Sequence, residues 1–326
     1  MIKFSLILPV YNVEKYLPKC IESCLNQDLS KTEYEIIIVI DGASDNSLFI
    51  AQQYQNRYNC IKIVEQPNGG LSAARNTGLS HATGKYVWFI DSDDFIMPDI
   101  LKAIYDILES SSLESLWIRW NNVTPQYNVV PLYDMNIHNV SEKVYSGNDF
   151  MKYVLGIYLY AWSFIYKRDF LIENDLRFKE GMFYEDTEFA FRALPRLKYI
   201  CLYNRVCYNY VNRADSIVNN INKKKLSDIC VNMTNAYRLS IKKQDKKLKE
   251  FYKRCFSSFL LLVMKEVAKS KDPGLRDQIS RLIRNEKMKK LVPVGSNVMK
   301  VVGLIYNYFG FKVSLLALKI MLKIKR

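Results

Sequence analysis

The clearest chemistry in the sequence lies in Asp91-Ser92-Asp93-Asp94, which directly follows the apolar segment Tyr86–Ile90. Carboxylates packed this closely repel one another unless a cation or a proton lies among them. Oxygen ligands without neighbouring Cys or His favour Mg²⁺ or Mn²⁺, and such ions commonly join one or two carboxylates to substrate phosphates. The run therefore indicates a divalent-cation site, although a solvated acidic turn before a helix at Pro98 would look the same.

Two other segments carry side chains suited to chemistry. Gly69–Asn76 (GGLSAARN) opens a predicted helix, whose start and Arg75 could bind an anion; an ordinary loop-to-helix turn is the alternative. It matches neither GxGxxG nor GxxxxGK[ST], so neither a Rossmann dinucleotide site nor a P-loop is supported. Tyr184–Glu188 (YEDTE) is typical of a helix start, but one carboxylate of such a pair can also serve as a general base.

The elements that must position these residues alternate between buried strands and amphipathic helices. The predicted strands are Phe4–Leu8, Tyr34–Ile40, Ile61–Glu65 and Tyr86–Ile90, and the predicted helices are Val13–Gln27, Asp45–Tyr58, Gly70–His81 and Pro98–Ser110. This alternation predicts an α/β fold with a doubly wound, mostly parallel sheet and flanking helices. Ligands of such sheets bind beyond the carboxyl ends of the strands, where Tyr11, Asp41 and Asp91 lie.

Charge divides the chain of 326 residues into two parts. Residues 1–222 hold 21 basic and 26 acidic side chains, whereas residues 223–326 hold 26 basic and 7 acidic ones. Because the part with the motifs is acidic, a nucleic-acid partner is not expected. We predict a catalytic domain over 1–222 and a helical, lysine-rich C-terminal extension over 223–326 that docks on a membrane surface or a partner. Two histidines and seven scattered cysteines favour a reducing compartment over a histidine-built zinc site.

The C-terminal extension also bears on the membrane. Its longest late stretch without a charge, Val301–Phe311, is shorter than the ~20 residues that span a bilayer, and no secretory signal is apparent, so we expect no membrane crossing. A helical projection puts a basic stripe beside a broad apolar face; its residues are Lys312, Lys319, Lys323 and Arg326. This pattern suits a helix on an anionic leaflet, or a helix packed on its own domain or on a second subunit. The expected location is cytoplasmic, with peripheral contact to the inner face of the membrane.

In order and spacing, the motifs resemble those of the family 2 glycosyltransferases, whose nucleotide-sugar-binding fold is of the GT-A type. The resemblance covers about residues 3–217, and residues from about 115 to 222 would form the acceptor part. The matching stretches are Ser5–Asn12, Ile36–Asp45, Gly69–Gly78, Gly84–Asp94, Leu176–Phe189 and Tyr208–Ile217.

The resemblance implies a role for each cluster. Residues that would contact the nucleotide-sugar are Pro9, Tyr11, Asp41, Arg75, Asp91, Ser92 and Arg213. Asp41 would accept a hydrogen bond from the pyrimidine ring, and Arg213 would close over the diphosphate. Asp93 would bind Mn²⁺ or Mg²⁺. Asp186 would be the general base that deprotonates the acceptor hydroxyl, supported by Glu185.

The implied reaction is transfer of one hexosyl or N-acetylhexosaminyl group, with inversion, from a nucleotide-sugar, expected to be a UDP-sugar, to a glycan or lipid-linked acceptor in surface polysaccharide synthesis. The leaving charge needs a cation, and a single displacement needs one base. Ala43 stands where serine is usual in the family, which is a departure from the pattern near the ribose. The Q-x-x-R-W motif of processive synthases is absent, since Leu116 occupies the glutamine position. A sugar nucleotidyltransferase, which would release pyrophosphate, and a catalytically idle scaffold are the alternatives.

Overall fold

The chain forms two compact units. The computed structural model describes residues 1–130, 143–153, 159–213, 223–270, 272–288, 291–292 and 297–324. Unit 1 comprises Met1–Phe150 and Leu159–Asn219, and unit 2 comprises Met151–Tyr158 and Asn220–Arg326. The boundary predicted at residue 222 lies outside the described residues, and the assignment of functions to the two parts stays a prediction.

Unit 1 is built on one mixed sheet. Its strands are β1 (Phe4–Val10), β2 (Tyr34–Asp41), β3 (Ile61–Gln66), β4 (Tyr86–Phe89), β5 (Phe95–Ile96), β6 (Ser115–Val123), β7 (Val129–Val130), β8 (Phe164–Lys167) and β9 (Ile200–Val211). The order across the sheet is β3-β2-β1-β4-β8-β6-β9-β5, with β7 paired to β6. β3, β2, β1 and β4 are parallel, whereas β8 runs antiparallel to β4 and β6. On one side of β1 lie the strands that follow it in the chain, β2 and β3, and on its other side lies β4. The strand order therefore reverses between β1 and β4, and sheets of this kind bind ligands at such a point.

The strands and helices of the first 110 residues lie close to where the sequence predicts them. The helices of the chain are α1 (Leu17–Leu25), α2 (Ser47–Gln55), α3 (Leu71–His81), α4 (Leu101–Ser110), α5 (Gly147–Tyr153), α6 (Arg168–Glu173), α7 (Glu185–Ala193), α8 (Lys223–Lys242), α9 (Lys246–Lys269), α10 (Pro273–Asn285) and α11 (Asn297–Ile324). The predicted start of α4 at Pro98 is wrong. Asp99 has a left-handed φ of 52°, which a continuous helix cannot contain, so α4 begins at Leu101.

The core of unit 1 lies on both faces of its central strands. Every residue of β1, β2 and β4 is buried, as expected for parallel strands covered on both sides. Helix α3 packs very close to β1, because a Cβ atom at Gly78 would lie 2.3 Å from Cγ2 of Ile7. This close packing fixes α3, and with it Arg75, against the sheet.

Unit 2 is helical, and α9 packs against both α8 and α11. The side chain of Asp245 caps α9 by accepting a hydrogen bond from the backbone N–H of Leu248 at 2.9 Å. Helix α11 is interrupted at Gly310, whose φ is 76°.

The apolar length expected in the C-terminal extension needs correction, whereas the expectation of no membrane crossing stays a prediction. Met299–Met321 is long and apolar enough to span one by length and composition, with a mean hydropathy of 1.6, and 39% of that stretch is buried in the protein. The uncharged run Val301–Phe311 is shorter than this apolar stretch because a lysine flanks it on each side, and these lysines do not make the helix polar.

Candidate active site

The carboxyl ends of β1 and β4 bring together the side chains on which the sequence analysis centred. The backbone N–H of Ile90 donates to the carbonyl of Ile7, which continues the pairing of the two strands up to the acidic run. Ser92 is buried, and its hydroxyl donates to the carbonyl of Pro9 at 2.6 Å. Asp91–Asp94 is therefore fastened to the end of β1.

Arg75 is the central cation of this edge of the sheet. It is only 2% exposed, and its guanidinium donates to Asp91 Oδ1 at 2.7 Å and to Glu185 Oε1 at 2.6 Å. The ring of Phe178 lies below it, with 5.1 Å between Cζ and the ring centroid. Burial alone would lower the pKa of Arg75, but the charges of Asp91 and Glu185 raise it above its usual value, so the side chain stays cationic.

Asn76, the next residue of α3, holds the segment that leads into α7. Its amide donates to the carbonyl of Phe178 at 2.9 Å and accepts from the N–H of the same residue at 2.8 Å. Tyr184, immediately before α7, has a left-handed φ of 59°. These contacts direct the first turn of α7, with Glu185 and Asp186, toward Arg75.

Asp186 has the most useful acid–base property in the site. Burial raises the pKa of Asp186 to about 7; the neighbouring charge of Glu185 acts in the same direction, and Arg75 opposes both. Its Oδ1 accepts from the N–H of Thr187 at 2.8 Å. A carboxyl group with a pKa near 7 can accept and release a proton near neutral pH, which is the requirement for a general base.

Asp93 forms a second ion pair, with Arg213. The distance between Asp93 Oδ2 and Arg213 Nη2 is 2.5 Å, and the guanidinium lies over the ring of Tyr16, 5.3 Å from its centroid. Burial raises the pKa of Asp93, and the charge of Asp91 adds to this, whereas Arg213 lowers it. Asp93 and Arg213 thus form the part of the site where a further cation or an anion can compete for an existing partner.

Asp94 and Tyr208 belong to the site although sequence reasoning gave them no role. Asp94 is buried, and its two oxygens accept from the hydroxyl of Tyr208 and from the N–H of Val211, both at 2.7 Å. The N–H of Asp91 also donates to the Tyr208 hydroxyl, at 3.2 Å. These bonds tie the acidic run to β9, two residues before Arg213. In the sequence, Asp94 continues the acidic run and Tyr208 opens the stretch Tyr208–Ile217, but no local pattern pairs the two residues.

Asp41 at the end of β2 holds the glycine turn. Its Oδ1 accepts from the side-chain amide of Gln66 at 2.7 Å and from the N–H of Gly69 at 2.8 Å, and its Oδ2 accepts from the N–H of Gly70 at 2.8 Å. Gly70 has a φ of 86°, which favours glycine. Asp41 is 3% exposed, so its role toward a nucleotide base stays a prediction.

The remaining predicted residues differ in their surroundings. The ring of Tyr11, just beyond β1, is about half exposed. The site contains five carboxylates and two guanidinium groups. Asp91 and Glu185 pair with Arg75, and Asp93 pairs with Arg213. Asp94 lies near Asp93, and Asp186 lies near Glu185. Within the described parts of the chain, no group of three or more His, Cys, Asp or Glu side chains is arranged to hold a metal ion. Asp93 as a metal ligand therefore stays a prediction.

Comparison with known proteins bears on the family. The model of glycosyl transferase family 2 matches residues 5–174, more than half of the chain. The glycosyltransferase YibD of Escherichia coli K12 is 33% identical over 204 residues, which cover 59% of this chain and 57% of YibD. The poly(ribitol-phosphate) beta-N-acetylglucosaminyltransferase TarS of Staphylococcus aureus is 30% identical over 220 residues, 66% of this chain and 36% of TarS. The match thus spans little more than half of YibD and about a third of TarS.

Solved structures bear on the fold. The crystal structure of S. aureus TarS 1–349 in complex with UDP-GlcNAc has a TM-score of 0.71 at 20% identity, covering 100% of this chain and 93% of that one. A mannosyltransferase from Pyrobaculum calidifontis in complex with GDP-Man and Mn²⁺ has a TM-score of 0.54 at 13% identity, covering 98% and 86%. The likeness confirms the predicted GT-A type fold with its mostly parallel sheet. With the family match, it follows that the chain is a member of glycosyl transferase family 2.

Proposed function

We propose that this protein transfers a single sugar from a nucleotide-sugar, a UDP-sugar, to a hydroxyl of a glycan or lipid-linked acceptor, with inversion at the anomeric carbon. The observation that carries the proposal is the buried Arg75, which joins Asp91 at the end of β4 to Glu185 at the start of α7, beside Asp186. The two ion pairs of Arg75 connect the residues proposed for the donor with the residues around the proposed base, Asp186.

Asp186 is the general base in this mechanism. The acceptor hydroxyl gives its proton to the Asp186 carboxylate while its oxygen forms a bond to the anomeric carbon, and the bond from that carbon to the nucleoside diphosphate breaks with its electron pair. Glu185 and Arg75 hold the first turn of α7 and moderate the charge next to the base. Because this is one displacement, an α-linked donor yields a β-linked product.

Asp41, Tyr11 and Pro9 form the nucleotide end of the proposed site. Asp41 already accepts three N–H groups from residues 66–70, and a carboxylate has about four lone-pair positions, so one remains for a pyrimidine N–H. The half-exposed ring of Tyr11 offers a face for the base. The bond from Ser92 to Pro9 keeps Asp91 at the ribose.

The diphosphate lies between Asp93 and Arg213 in this proposal. The donor set fits a divalent cation in the way Mg²⁺ and Mn²⁺ are usually held, by one or two carboxylates together with substrate phosphates, because Asp93 and Asp91 belong to a site with an excess of acids. When bound, Mn²⁺ or Mg²⁺ would neutralise the leaving diphosphate. Arg213 then exchanges its carboxylate partner for a phosphate oxygen.

The relatives support the finer parts of the proposal. TarS is described as a beta-N-acetylglucosaminyltransferase and has been crystallised with UDP-GlcNAc, an α-linked donor, which agrees with inversion and a UDP-sugar. The mannosyltransferase contains Mn²⁺. We infer by the same analogy a hexosyl or N-acetylhexosaminyl donor and a role in surface polysaccharide synthesis. Residues 1–222 would carry out transfer in the cytoplasm, and 223–326 would contact the inner face of the membrane.

A donor screen tests the function. UDP-, GDP- and dTDP-sugars are incubated with the protein and Mn²⁺, Mg²⁺ or EDTA, and nucleoside diphosphate release is measured. Metal-dependent release of UDP from one donor is expected. Release of pyrophosphate would instead identify a nucleotidyltransferase, and no binding of any donor by calorimetry would favour an idle scaffold.

Two matched variants on α7 test the base. Asp186→Asn should retain donor binding and lose transfer by about 10²–10⁴-fold. Glu188→Gln, which alters a carboxylate that pairs with Arg192 at 2.7 Å on the same helix, should keep transfer within a few-fold of the unmodified protein. Full activity of Asp186→Asn would contradict the assignment.

A further inference from the structure

The outward face of α11 is apolar along most of its length. On each side of Gly310 the exposed apolar side chains recur at i, i+3 and i+7. They are Val301, Leu304 and Tyr308 before the glycine, followed by Phe309, and Val313, Leu316 and Ile320 after it. Tyr308 is 81% exposed, Phe309 68% and Leu316 60%. Gly310 divides these side chains between two helical segments, and exposed apolar groups of this kind mark an interaction surface.

The opposite face of α11 is fixed inside unit 2. Val302, Tyr306 and Leu318 are buried, and the helix packs against α9. The hydroxyl of Tyr306 donates to the carbonyl of Met288 at 3.0 Å, and the side-chain amide of Asn307 exchanges two hydrogen bonds with the backbone of Leu291, at 2.6 and 2.8 Å. The exposed strip therefore belongs to a helix that is already anchored.

The positive charge of α11 indicates what binds to its exposed apolar residues. α11 contains four lysines and no acidic residue, and Lys300 and Lys312 are exposed. Residues 223–326 as a whole carry 26 basic and 7 acidic side chains. Apolar side chains bordered by lysines match the boundary between acyl chains and anionic headgroups.

Two other occupants fit less well. In a two-fold dimer the same patch meets itself, and α11 offers no acidic side chain to pair with the lysines of its copy. Crossing the bilayer would require α11 to leave α9 and to expose Val302, Tyr306 and Leu318 in place of their present contacts.

We propose that the outward face of α11, from Val301 to Ile320, is a docking surface for an anionic lipid bilayer, on which the helix lies without crossing it. The proposal adds the surface and its ligand to the membrane contact inferred above, but it does not depend on sugar transfer. Vesicle binding needs neither donor nor acceptor, so its failure and the failure of the proposed reaction can be told apart.

Flotation of the full-length protein with vesicles tests the proposal. The vesicles are phosphatidylcholine alone, or phosphatidylcholine with about one third phosphatidylglycerol. The protein should float with the anionic vesicles, less so as salt is raised, and should be released by alkaline carbonate. The double variant Leu304→Ser/Leu316→Ser should lose at least about tenfold in partitioning.

Two further variants separate the causes. Lys300→Glu with Lys312→Glu should weaken flotation with anionic vesicles and leave any binding to neutral vesicles unchanged. Ile241→Ser is the matched control, because Ile241 is an exposed apolar residue, 57% accessible, on α8 of the same unit, and it should bind as the unmodified protein does. Circular dichroism should show all of these surface variants folded.

Several results would overturn the proposal. The unmodified protein could remain in the dense fraction with both kinds of vesicle, or the Leu304/Leu316 variant could float normally. If light scattering showed a dimer that the Leu304/Leu316 substitutions dissociate, and the protein did not bind vesicles, the face would be assigned to a second copy of the chain. Resistance to alkaline carbonate would show that the helix crosses the bilayer.

Discussion

The arginines of the candidate active site and the lysines of α11 use positive charge in opposite ways. Arg75 is buried between two carboxylates at 2.6 and 2.7 Å, where each charge depends on the others. Lys300 and Lys312 of α11 are exposed, on a helix without acidic residues. Buried pairs are screened little by salt, whereas exposed charges are individually weak, additive and sensitive to ionic strength.

This difference predicts where substitutions act. Among the ion pairs of Arg75, removal of one partner leaves another charge buried, so stability and chemistry fail together. On α11, a single charge can change without disturbing the fold, and only association with a surface should respond.

Arg75→Met is expected to have the largest effect. It leaves Asp91 and Glu185 without their shared cation, and should lower the free energy of unfolding by about 3–5 kcal/mol and abolish transfer. Urea titration measures the loss. Lys85→Met is the control, since Lys85 and Glu109 pair at 2.6 Å with about a third of each side chain exposed, and it should cost about 1 kcal/mol or less. Equal losses in the two variants would refute the contrast.

The pH dependence of transfer should report Asp186. Because the pKa of Asp186 is raised to about 7 and the base must be ionised, kcat/KM, which reports ionisations of the free protein, should rise with pH up to about 7 and then level off. The profile should be measured from about pH 5 to about pH 8, a range that contains the pKa of Asp186. A rate that is flat or falls across this range would argue for another base.

The same shift predicts an opposite trend in stability. The folded state binds the Asp186 proton more tightly than the unfolded chain, whose carboxyl has the ordinary pKa of 3.8, so folding loses stability as pH rises from about 4 to about 7. Asp186→Asn carries no such charge, and should therefore melt higher than the unmodified protein at pH values above that range, with the difference vanishing toward pH 3.8. Thermal scans at several pH values test this, and a variant less stable throughout would contradict the raised pKa.

Most of the strands and helices that position the candidate site can be predicted from local sequence, but most of the side-chain pairings within the site cannot. The apolar runs and helical periodicities predict β1 to β4 and α1 to α3, since burial of one face or both is a property of neighbouring residues. Arg75 and Glu185, however, are 110 positions apart in the chain, and Asp94 and Tyr208 are 114 apart. Such pairings depend on how β9 and α7 return to the sheet, and no local pattern specifies that.

Asp41 and α11 show two further limits. An aspartate at a strand end has the same local signal whether it faces a ligand or holds a turn, and only the structure shows that Asp41 accepts hydrogen bonds from Gln66, Gly69 and Gly70. In α11 the longest charge-free run of the sequence is short, whereas the helix that contains it is long and apolar enough to span a membrane despite its four lysines.

Arg213→Gln should have an intermediate effect. It frees Asp93 from its partner at 2.5 Å and removes a cation proposed for the diphosphate. Binding of Mn²⁺ to the protein without donor should become tighter, while UDP binding should weaken by about tenfold, as expected for loss of one charged hydrogen bond. Calorimetric titration with each ligand separates the two. Weaker Mn²⁺ binding would mean that Arg213 does not compete with the cation.

Arg238→Gln should have the smallest effect, although its geometry resembles that of the buried pairs. Arg238 donates from Nε and Nη2 to both oxygens of Glu286, at 3.0 and 2.7 Å, but more than half of its side chain is exposed. Solvent screens such a pair, so the variant should melt only slightly lower at low salt and equally at about 0.5 M NaCl, where the Debye length is only a few ångströms. Lys269→Gln, at a simpler exposed pair with Glu266, is the matched comparison. A large loss that persists at high salt would show that bidentate geometry, and not burial, determines the strength of ion pairs in this protein.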